Sequence, residues 1–337
     1  MNFSALLSKL IARTDLSREE MLDLMRAIMT GALTPAQTAG AVVALRCKGE
    51  TVTELAAAAT VMRELSTKVP LAGVDHLVDT CGTGGDGAHT FNVSTAAAFV
   101  AAAAGAKVAK HGGRSVSSKS GSADVLEALG VNVNLPPEAV ARAVRDIGVG
   151  FMFAPNHHSA MRHAAPVRRE LGVRTFFNLL GPMTNPAAAP NQVLGVFDRA
   201  YTRLLAEVLR ELGSRHVLVV HADDGLDEIS LGALTHVAEL KDGQIDEYTV
   251  SPEDFGLARC ASEKLAVSDV EQSKVLLLGA LDNQPGPARD IVALNAGAAL
   301  YVSGVTASLV EGVLAAQSTI ASGAARAKLA ALAARAA

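Results

Sequence analysis

Apolar residues near the start of the chain recur every three or four positions, the spacing that places them on one face of a helix. Leu24, Met25 and Ile28 show this spacing between polar neighbours. Three segments have the Ser/Thr-x-x-Glu/Gln pattern of a capping box at a helix start, namely residues 17–20, 34–37 and 51–54. The pattern predicts a small all-helical unit over residues 1 to about 67, ending near Pro70 and Gly73.

From residue 76 onward, short apolar runs alternate with longer segments of helical spacing. The runs predict strands at residues 76–80, 107–109, 151–153, 193–197, 217–221, 235–240 and 247–250. Helices are predicted at residues 95–104, 123–129, 137–147, 201–212, 270–281, 290–302, 308–320 and 324–337. This alternation indicates an α/β fold with a mainly parallel central sheet. We therefore expect a helical domain at residues 1–70 and an α/β domain at 71–337.

Composition narrows the class of protein. Of the 337 residues, 50% are hydrophobic and 19% are charged, a balance typical of globular rather than disordered chains. The net charge of -4 argues against a nucleic-acid partner. Cys47, Cys81 and Cys260 are too widely spaced for a disulfide framework or a CxxC metal site, which favours a reducing compartment such as the cytoplasm. The start lacks a secretory-signal pattern and the Ala-rich run at 96–106 is too short to span a bilayer, so we expect no membrane partner.

A glycine-rich turn follows the first predicted strand, within residues 79–95 (DTCGTGGDGAHTFNVST). Gly82, Gly84 and Gly87 formally match the dinucleotide pattern G-x-G-x-x-G. A polar segment before the helix counts against a dinucleotide, and so does Lys110-His111 where an acid would bind the ribose. An NADP enzyme stays open, because a basic residue suits a 2′-phosphate. Unobstructed N–H groups at a helix start favour the binding of an oxyanion.

A second polar loop follows the second predicted strand, at residues 110–124 (KHGGRSVSSKSGSAD). It contains three cations, five serines and three glycines, with almost no apolar content. In a parallel sheet both loops leave the carboxyl edge, where ligands bind. The two loops together therefore predict a cationic cradle for a ligand with several phosphates.

Four carboxylates lie just past a later buried strand, in residues 223–228 (DDGLDE). Asp227 and Glu228 adjoin the apolar Leu226 and Ile229, which would hold them near the body of the protein. Adjacent carboxylates suit a hard cation that also takes phosphate oxygens, which indicates Mg²⁺. No His/Cys cluster has the spacing of a zinc site.

Five ordered segments stand out in the chain, namely residues 82–95 (GTGGDGAHTFNVST), 110–124 (KHGGRSVSSKSGSAD), 153–161 (FAPNHHSAM), 166–186 (PVRRELGVRTFFNLLGPMTNP) and 224–230 (DGLDEIS). Together they resemble the anthranilate phosphoribosyltransferase family. The resemblance extends over essentially the whole chain, including residues 287–301 (PARDIVALNAGAALY). Five ordered motifs at family spacing are far more specific than one glycine pattern.

The resemblance implies a step of tryptophan biosynthesis. In it, phosphoribosyl pyrophosphate (PRPP) and anthranilate give N-(5-phosphoribosyl)anthranilate and pyrophosphate, with Mg²⁺. It also implies a nucleoside-phosphorylase-like fold, in which helices near residues 165–185 join the N-terminal helical domain, and a homodimer formed through that domain.

The resemblance further implies the residues of the site. Those expected to bind PRPP are Gly82, Gly85, Asp86, Thr90, Asn92, Val93, Ser94, Thr95, Lys110, His111, Gly112, Gly113, Arg114, Ser115, Val116, Ser117, Ser118 and Ser122. Those expected to face anthranilate are Gly82, Gly113, His158 and Arg168, with Arg168 on the carboxylate. Asp227 and Glu228 are expected to hold Mg²⁺, with Ser94 also in contact with a metal.

Gly113 departs from the family pattern, which usually has Asn at this position. The missing amide removes one polar contact to anthranilate, which costs about 0.5–1.5 kcal/mol, or up to roughly tenfold in affinity. Glycine also leaves the loop freer in φ. We therefore expect Gly113 to weaken the binding of anthranilate more than the binding of the donor.

Several alternatives stay open from the residues alone. Either Arg168 or its neighbour Arg169 could point inward, and His158 could be a core or capping residue. A pyrimidine nucleoside phosphorylase of the same general fold is the nearest rival enzyme. A nucleic-acid-binding homologue without catalysis is a further rival, disfavoured by the net charge of -4 and the intact donor motifs.

Overall fold

The N-terminal part of the protein is helical. The computed structural model describes residues 1–114 and 119–335. Its first four helices are α1 (Phe3–Ile11), α2 (Arg18–Met29), α3 (Pro35–Lys48) and α4 (Val52–Glu64). Ser17, Thr34 and Thr51 form the predicted capping boxes at the starts of α2, α3 and α4. Local polar residues therefore fix where these three helices begin.

A seven-stranded sheet follows, and its strand order is β3-β2-β1-β4-β5-β6-β7. The strands are β1 (Leu77–Gly82), β2 (Lys107–Gly112), β3 (Val149–Phe153), β4 (Asn191–Gly195), β5 (His216–Ala222), β6 (Thr235–Lys241) and β7 (Gln244–Val250). The strands β3, β2, β1, β4 and β5 are parallel, whereas β6 and β7 pair antiparallel at one side. The prediction of an α/β fold with a mainly parallel sheet is confirmed.

Further helices lie between and after the strands. They are α5 (Val93–Ala103), α6 (Ser122–Ala128), α7 (Pro137–Asp146), α8 (Ala154–His157), α9 (Ala165–Leu171), α10 (Phe177–Leu180), α11 (Tyr201–Glu211), α12 (Val270–Leu281), α13 (Pro287–Val302), α14 (Leu309–Ala321) and α15 (Ala324–Ala333). Alternate strand residues enter different cores: Leu218 and Val220 join the core with α5 and α13, whereas Val217 and Val219 join the core with the N-terminal helices. Burial on both faces explains why β5 is almost wholly apolar.

Helices α13 and α14 cross at very close range. A Cβ on Gly297 would lie 2.5 Å from the Val313 backbone nitrogen, and one on Gly312 would lie 2.2 Å from the Gly297 carbonyl oxygen. Both positions are inside helices, where glycine costs about 0.5–1 kcal/mol relative to alanine. The close approach of the two backbones explains why glycine occupies both positions.

The chain returns to the N-terminal helices after β3. Helix α9 packs on α3, and α10 packs on α4. Phe176 and Phe177 are buried in the same core as α2 and α4, with their ring centroids 4.4 Å apart. The helical layer therefore draws on two separate parts of the chain, residues 1–64 and 159–184.

The observed elements differ from the predicted ones mainly at their ends. Strand β2 runs on to Gly112, and α13 begins already at Pro287. The four-residue helix α8 was not predicted, because so few residues carry no periodic signal. Within residues 1–114 and 119–335, no helix is both long and apolar enough to cross a bilayer.

Candidate active site at the strand ends

Three loops leave the same edge of the sheet. We call residues 83–92 the glycine loop, residues 113–121 the serine loop and residues 223–230 the acidic loop. They follow β1, β2 and β5, whose last residues are Gly82, Gly112 and Ala222. Because these strands are parallel, their carboxyl ends lie at one edge, as the sequence predicted for the first two loops.

The glycine and serine loops are joined through Asn92. Its Nδ2 donates to the Ser120 carbonyl oxygen (3.1 Å), and its Oδ1 accepts from the hydroxyls of Ser120 (2.8 Å) and Ser273 (2.7 Å). Ser273 is fully buried on α12, and its hydroxyl also accepts the Asn92 backbone N–H. The Asn92 side chain therefore holds the two loops together.

The acidic loop closes onto the glycine loop. The Gly84 backbone N–H donates to Asp227 Oδ2 (2.8 Å), and the Ser94 N–H, in the first turn of α5, donates to Glu228 Oε1 (3.0 Å). The acidic pair thus occupies N–H groups that the sequence assigned to an oxyanion. All three loops contribute to one site.

Two glycines make room for Asp227. A Cβ on Gly82 would lie 2.3 Å from Asp227 Oδ2, and one on Gly195 would lie 1.5 Å from the Asp227 carbonyl oxygen. The close approach of the acidic loop therefore requires glycine at the ends of both β1 and β4. Gly195 was missed by the sequence analysis, although a lone glycine in an apolar strand is a recognised sign of a close backbone approach.

The acidic pair carries more negative charge than its surroundings favour. Burial, followed by the charge of Asp86, raises the pKa of Asp227. Burial, followed by the charge of Asp227, raises the pKa of Glu228. The buried Lys110 Nζ is bonded nearby to Ser94 Oγ (3.3 Å) and the Thr80 carbonyl oxygen.

These residues fit a magnesium ion. Their oxygens are hard donors, and their charge crowding would be relieved by a cation. No group of three or more His, Cys, Asp and Glu side chains in residues 1–114 and 119–335 has the arrangement of a metal cluster. A cation here would therefore share its coordination with ligand or water oxygens, as Mg²⁺ commonly does.

The glycine loop adopts the backbone that its sequence requires. Gly84, Gly85 and Gly87 have φ values of 65°, 78° and 76°, in the left-handed region that glycine favours. Thr90 forms a bridge with Ala266, which anchors the end of the loop. The other residues of this region that are expected to bind PRPP lie in the loop or in the first turn of α5. They are Asp86, Val93, Ser94 and Thr95. The buried Thr95 Oγ1 has no hydrogen-bond partner among the described residues.

The serine loop shows only part of its predicted set. Ser115, Val116, Ser117 and Ser118 lie outside the described residues. The Arg114 guanidinium is paired with Glu127 (2.6 Å) and Asp124 (2.9 Å), so it faces α6 in this structure rather than the acidic pair. Ser122 Oγ bonds the Gly113 carbonyl oxygen (3.3 Å) and would lie 2.2 Å from a Cβ on Gly112.

Two buried histidines lie beside the donor loops. The rings of His111 and His158 have centroids 5.1 Å apart, and the Nε2 atom of each lacks a partner among the described residues. Burial, then the neighbouring His157, lowers the pKa of His158 to about 4. Burial, then His158, holds the pKa of His111 well below its usual range. Both rings are therefore neutral at pH 7.

The structure distinguishes the two arginines of α9. Arg168 is partly buried, with its guanidinium carbon 5.2 Å from the centre of the Phe177 ring, whereas Arg169 is exposed. Burial lowers the pKa of Arg168. No ion pair to Arg168 occurs in the described part of the chain, so its charge is available to a ligand. Arg168 is therefore the inward candidate.

Comparison with known proteins gives one family. Residues 4–66 match the helical bundle domain of the glycosyl transferase family, and residues 74–326 match its a/b domain. An anthranilate phosphoribosyltransferase of Laribacter hongkongensis is 64% identical over 96% of this chain and 94% of its own length. Two solved structures are similar over nearly their whole length. The Thermus thermophilus enzyme has a TM-score of 0.92, at 47% identity and 98% coverage of both chains. The Saccharomyces cerevisiae enzyme in complex with PRPP and Mg has a TM-score of 0.88, at 27% identity, 97% coverage of this chain and 96% of that one.

Proposed function

This chain belongs to the anthranilate phosphoribosyltransferase family, and on that premise we propose how its strand-end loops carry out the reaction. The enzyme transfers the 5-phosphoribosyl group from PRPP to anthranilate. The products are N-(5-phosphoribosyl)anthranilate and pyrophosphate, and the step belongs to tryptophan biosynthesis. The observation that carries the residue assignment is the contact of Asp227 and Glu228 with the N–H groups of Gly84 and Ser94.

The donor binds to the glycine and serine loops. The N–H groups of the glycine loop and of the first turn of α5 bind the diphosphate oxygens, because they point at one site and the helix dipole favours negative charge. Asp227 and Glu228 would hold Mg²⁺, with Ser94 beside them. The proposed donor set is otherwise that of the sequence analysis, from Gly82 to Ser122.

Mg²⁺, when bound, would neutralise charge on the departing pyrophosphate. The chain's own residues supply the rest of the stabilisation. Lys110 adds a fixed buried cation next to Ser94, and the loop N–H groups are already oriented before the donor arrives. Bond cleavage at the anomeric carbon passes through an oxocarbenium-like state, which such a preorganised anion site favours.

Anthranilate binds on the histidine side of the same edge. The Arg168 guanidinium pairs with its carboxylate, while the neutral His158 ring, beside His111, faces the aromatic part of the molecule. Gly113 lies on the serine loop next to this region and supplies no side chain. The amine of anthranilate is an aniline and is neutral at pH 7, so it attacks without a strong base.

A homodimer through the helical layer is the proposed assembly. Ile11, Val43 and Val173 are exposed large apolar residues on α1, on α3 and directly after α9, with exposures of 70%, 39% and 59%. Apolar residues of one layer left in water are typical of an interface. Light scattering should give twice the chain mass, and Val43→Glu should shift the protein to a monomer.

We also place the reaction in the cytoplasm. Cys47, Cys81 and Cys260 are all unpaired, which suits a reducing compartment.

The disappearance of anthranilate fluorescence tests the activity directly, because the chain contains no Trp that would add background. The decay should require both PRPP and Mg²⁺. Phosphorolysis of a pyrimidine nucleoside with no consumption of anthranilate would instead favour the nucleoside phosphorylase.

A further inference from the structure

Arg174 connects the helical layer with the glycine loop. It lies just after α9, is exposed, and its Nη2 donates to the Gly85 carbonyl oxygen. On its other side the guanidinium carbon lies 4.3 Å from the centre of the Phe197 ring, a cation–π distance. The Phe197 backbone N–H in turn donates to Thr83 Oγ1 (3.1 Å), so the same group of residues holds the start of the loop.

The loop needs such an external contact. Gly84, Gly85 and Gly87 give it a backbone with little intrinsic preference for one conformation, and ordering such residues is entropically costly. A Cβ on Gly85 would lie 3.2 Å from Arg174 Nη2, so the guanidinium packs directly against the loop backbone. The charge-assisted bond from Arg174 therefore selects one position for Gly85.

Arg174 is not part of a packed core. An open cavity of about 370 Å³ adjoins it, lined by Val43, Arg46, Cys47, Val173, Arg174 and Thr175. Loss of the side chain should therefore leave the fold intact, because it removes contacts to the loop and to one ring rather than to a buried cluster.

We infer that Arg174 is a positioning residue that holds the glycine loop in its donor-binding conformation. The inference rests on the proposed role of this loop in PRPP binding. Arg174 also lies six residues after Arg168, on the connection that follows α9. One short segment of chain therefore connects Arg174, which contacts the glycine loop, with Arg168, the proposed partner of the anthranilate carboxylate.

The test compares Arg174→Gln with Arg169→Gln, an equal loss of charge at an exposed position of α9. In Arg174→Gln the KM for PRPP should rise roughly tenfold, as expected for the loss of one charge-assisted hydrogen bond. The KM for anthranilate and the Tm should stay near those of the wild type, and Arg174→Lys should recover part of the loss. Hydrogen exchange of amides 83–88 in the ligand-free protein should accelerate in Arg174→Gln and stay unchanged in Arg169→Gln.

Unchanged loop exchange together with an unchanged KM for PRPP would overturn the inference. An equal rise of both KM values with a lower Tm would also overturn it, because it would show a general structural role. A wild-type protein that consumed no anthranilate would instead count against the proposed function, and the exchange measurement would still report on Arg174.

Discussion

Asp227 Oδ2 accepts a 2.8 Å hydrogen bond from the backbone N–H of Gly84, so a carboxylate lies where a phosphate oxygen is expected. Glu228 Oε1 likewise accepts a 3.0 Å hydrogen bond from the backbone N–H of Ser94. On the proposed assignment, a diphosphate would compete with these carboxylates for the same N–H groups. We therefore expect the binding of the donor and the binding of the metal ion to be coupled through the acidic loop.

Replacing both acids should abolish the response to magnesium. In Asp227→Asn/Glu228→Gln we expect turnover to fall at least about a hundredfold, because the charge that holds the cation is removed. The rate of anthranilate consumption, measured over a range of Mg²⁺ concentrations, checks this. Asp223→Asn is the matched control, since Asp223 is exposed and pairs with His236 (2.7 Å). Near-wild-type turnover that still rises with Mg²⁺ would refute the metal role.

Restoring an amide at position 113 should improve acceptor binding. Apart from its two chain neighbours, no atom of residues 1–114 and 119–335 lies within 4 Å of a Cβ built on Gly113, and its φ is not in the left-handed region, so these residues leave room for Asn. Gly113→Asn should lower the KM for anthranilate by up to roughly tenfold, through one added hydrogen bond. The KM for PRPP should change less. Equal changes in both constants would argue that the loop, not the contact, had been altered.

The two arginines of α9 should differ in effect. Arg168→Gln removes the partly buried cation proposed for the anthranilate carboxylate, so the KM for anthranilate should rise at least roughly tenfold. The KM for PRPP should stay within about twofold of wild type. Arg169→Gln is the control, and steady-state kinetics with each substrate varied separately gives both constants. A similar rise in both KM values would contradict the assignment.

An added methyl group at the crossing of α13 and α14 should lower the free energy of unfolding. In Gly297→Ala the new Cβ would meet the Val313 backbone at 2.5 Å, so the helices must separate. We expect a loss of about 1–3 kcal/mol in the free energy of unfolding, as for other overpacked sites. Leu314→Ala, at a 59% exposed position of α14, should change it by less than about 0.5 kcal/mol. Urea unfolding followed by circular dichroism measures both.

Glu239 should contribute to stability in a pH-dependent way. Burial alone would raise the pKa of Glu239, but His216, Tyr301 and Tyr248 bond its carboxylate at 2.7–2.8 Å and hold that pKa below its ordinary value of 4.5. A lowered pKa in the folded state stabilises the protein above pH 4.5, and the contribution is lost as the pH falls further. The difference in unfolding free energy between wild type and Glu239→Gln should therefore be constant near pH 7 and shrink below pH 4.5. A difference that grows in acid would contradict this.

Local signals in the sequence predicted much of the fold and the outline of the site. The capping boxes at Ser17, Thr34 and Thr51 act within four residues, so they can be read without the rest of the chain. The meeting of the glycine and serine loops follows from the rule for parallel strands.

Contacts between distant residues could not be predicted in this way. Arg174 and Gly85 are 89 positions apart, and Ser273 and Asn92 are 181 apart, so no spacing pattern links them. The inward arginine of α9 was equally open, because a helix of only seven residues is too short to define its own orientation. Only packing against Phe177 decides it.

The division of the helical layer between residues 1–64 and 159–184 also constrains how the protein can be dissected. Three stretches of backbone cross between this layer and the sheet, before β1, after β3 and before β4. A fragment ending near residue 66 would lack Phe176 and Phe177, and would leave α2 and α4 with an uncovered apolar surface. The N-terminal helices therefore cannot be exchanged as an independent module. Any movement of one layer relative to the other must change the backbone conformation of all three connections.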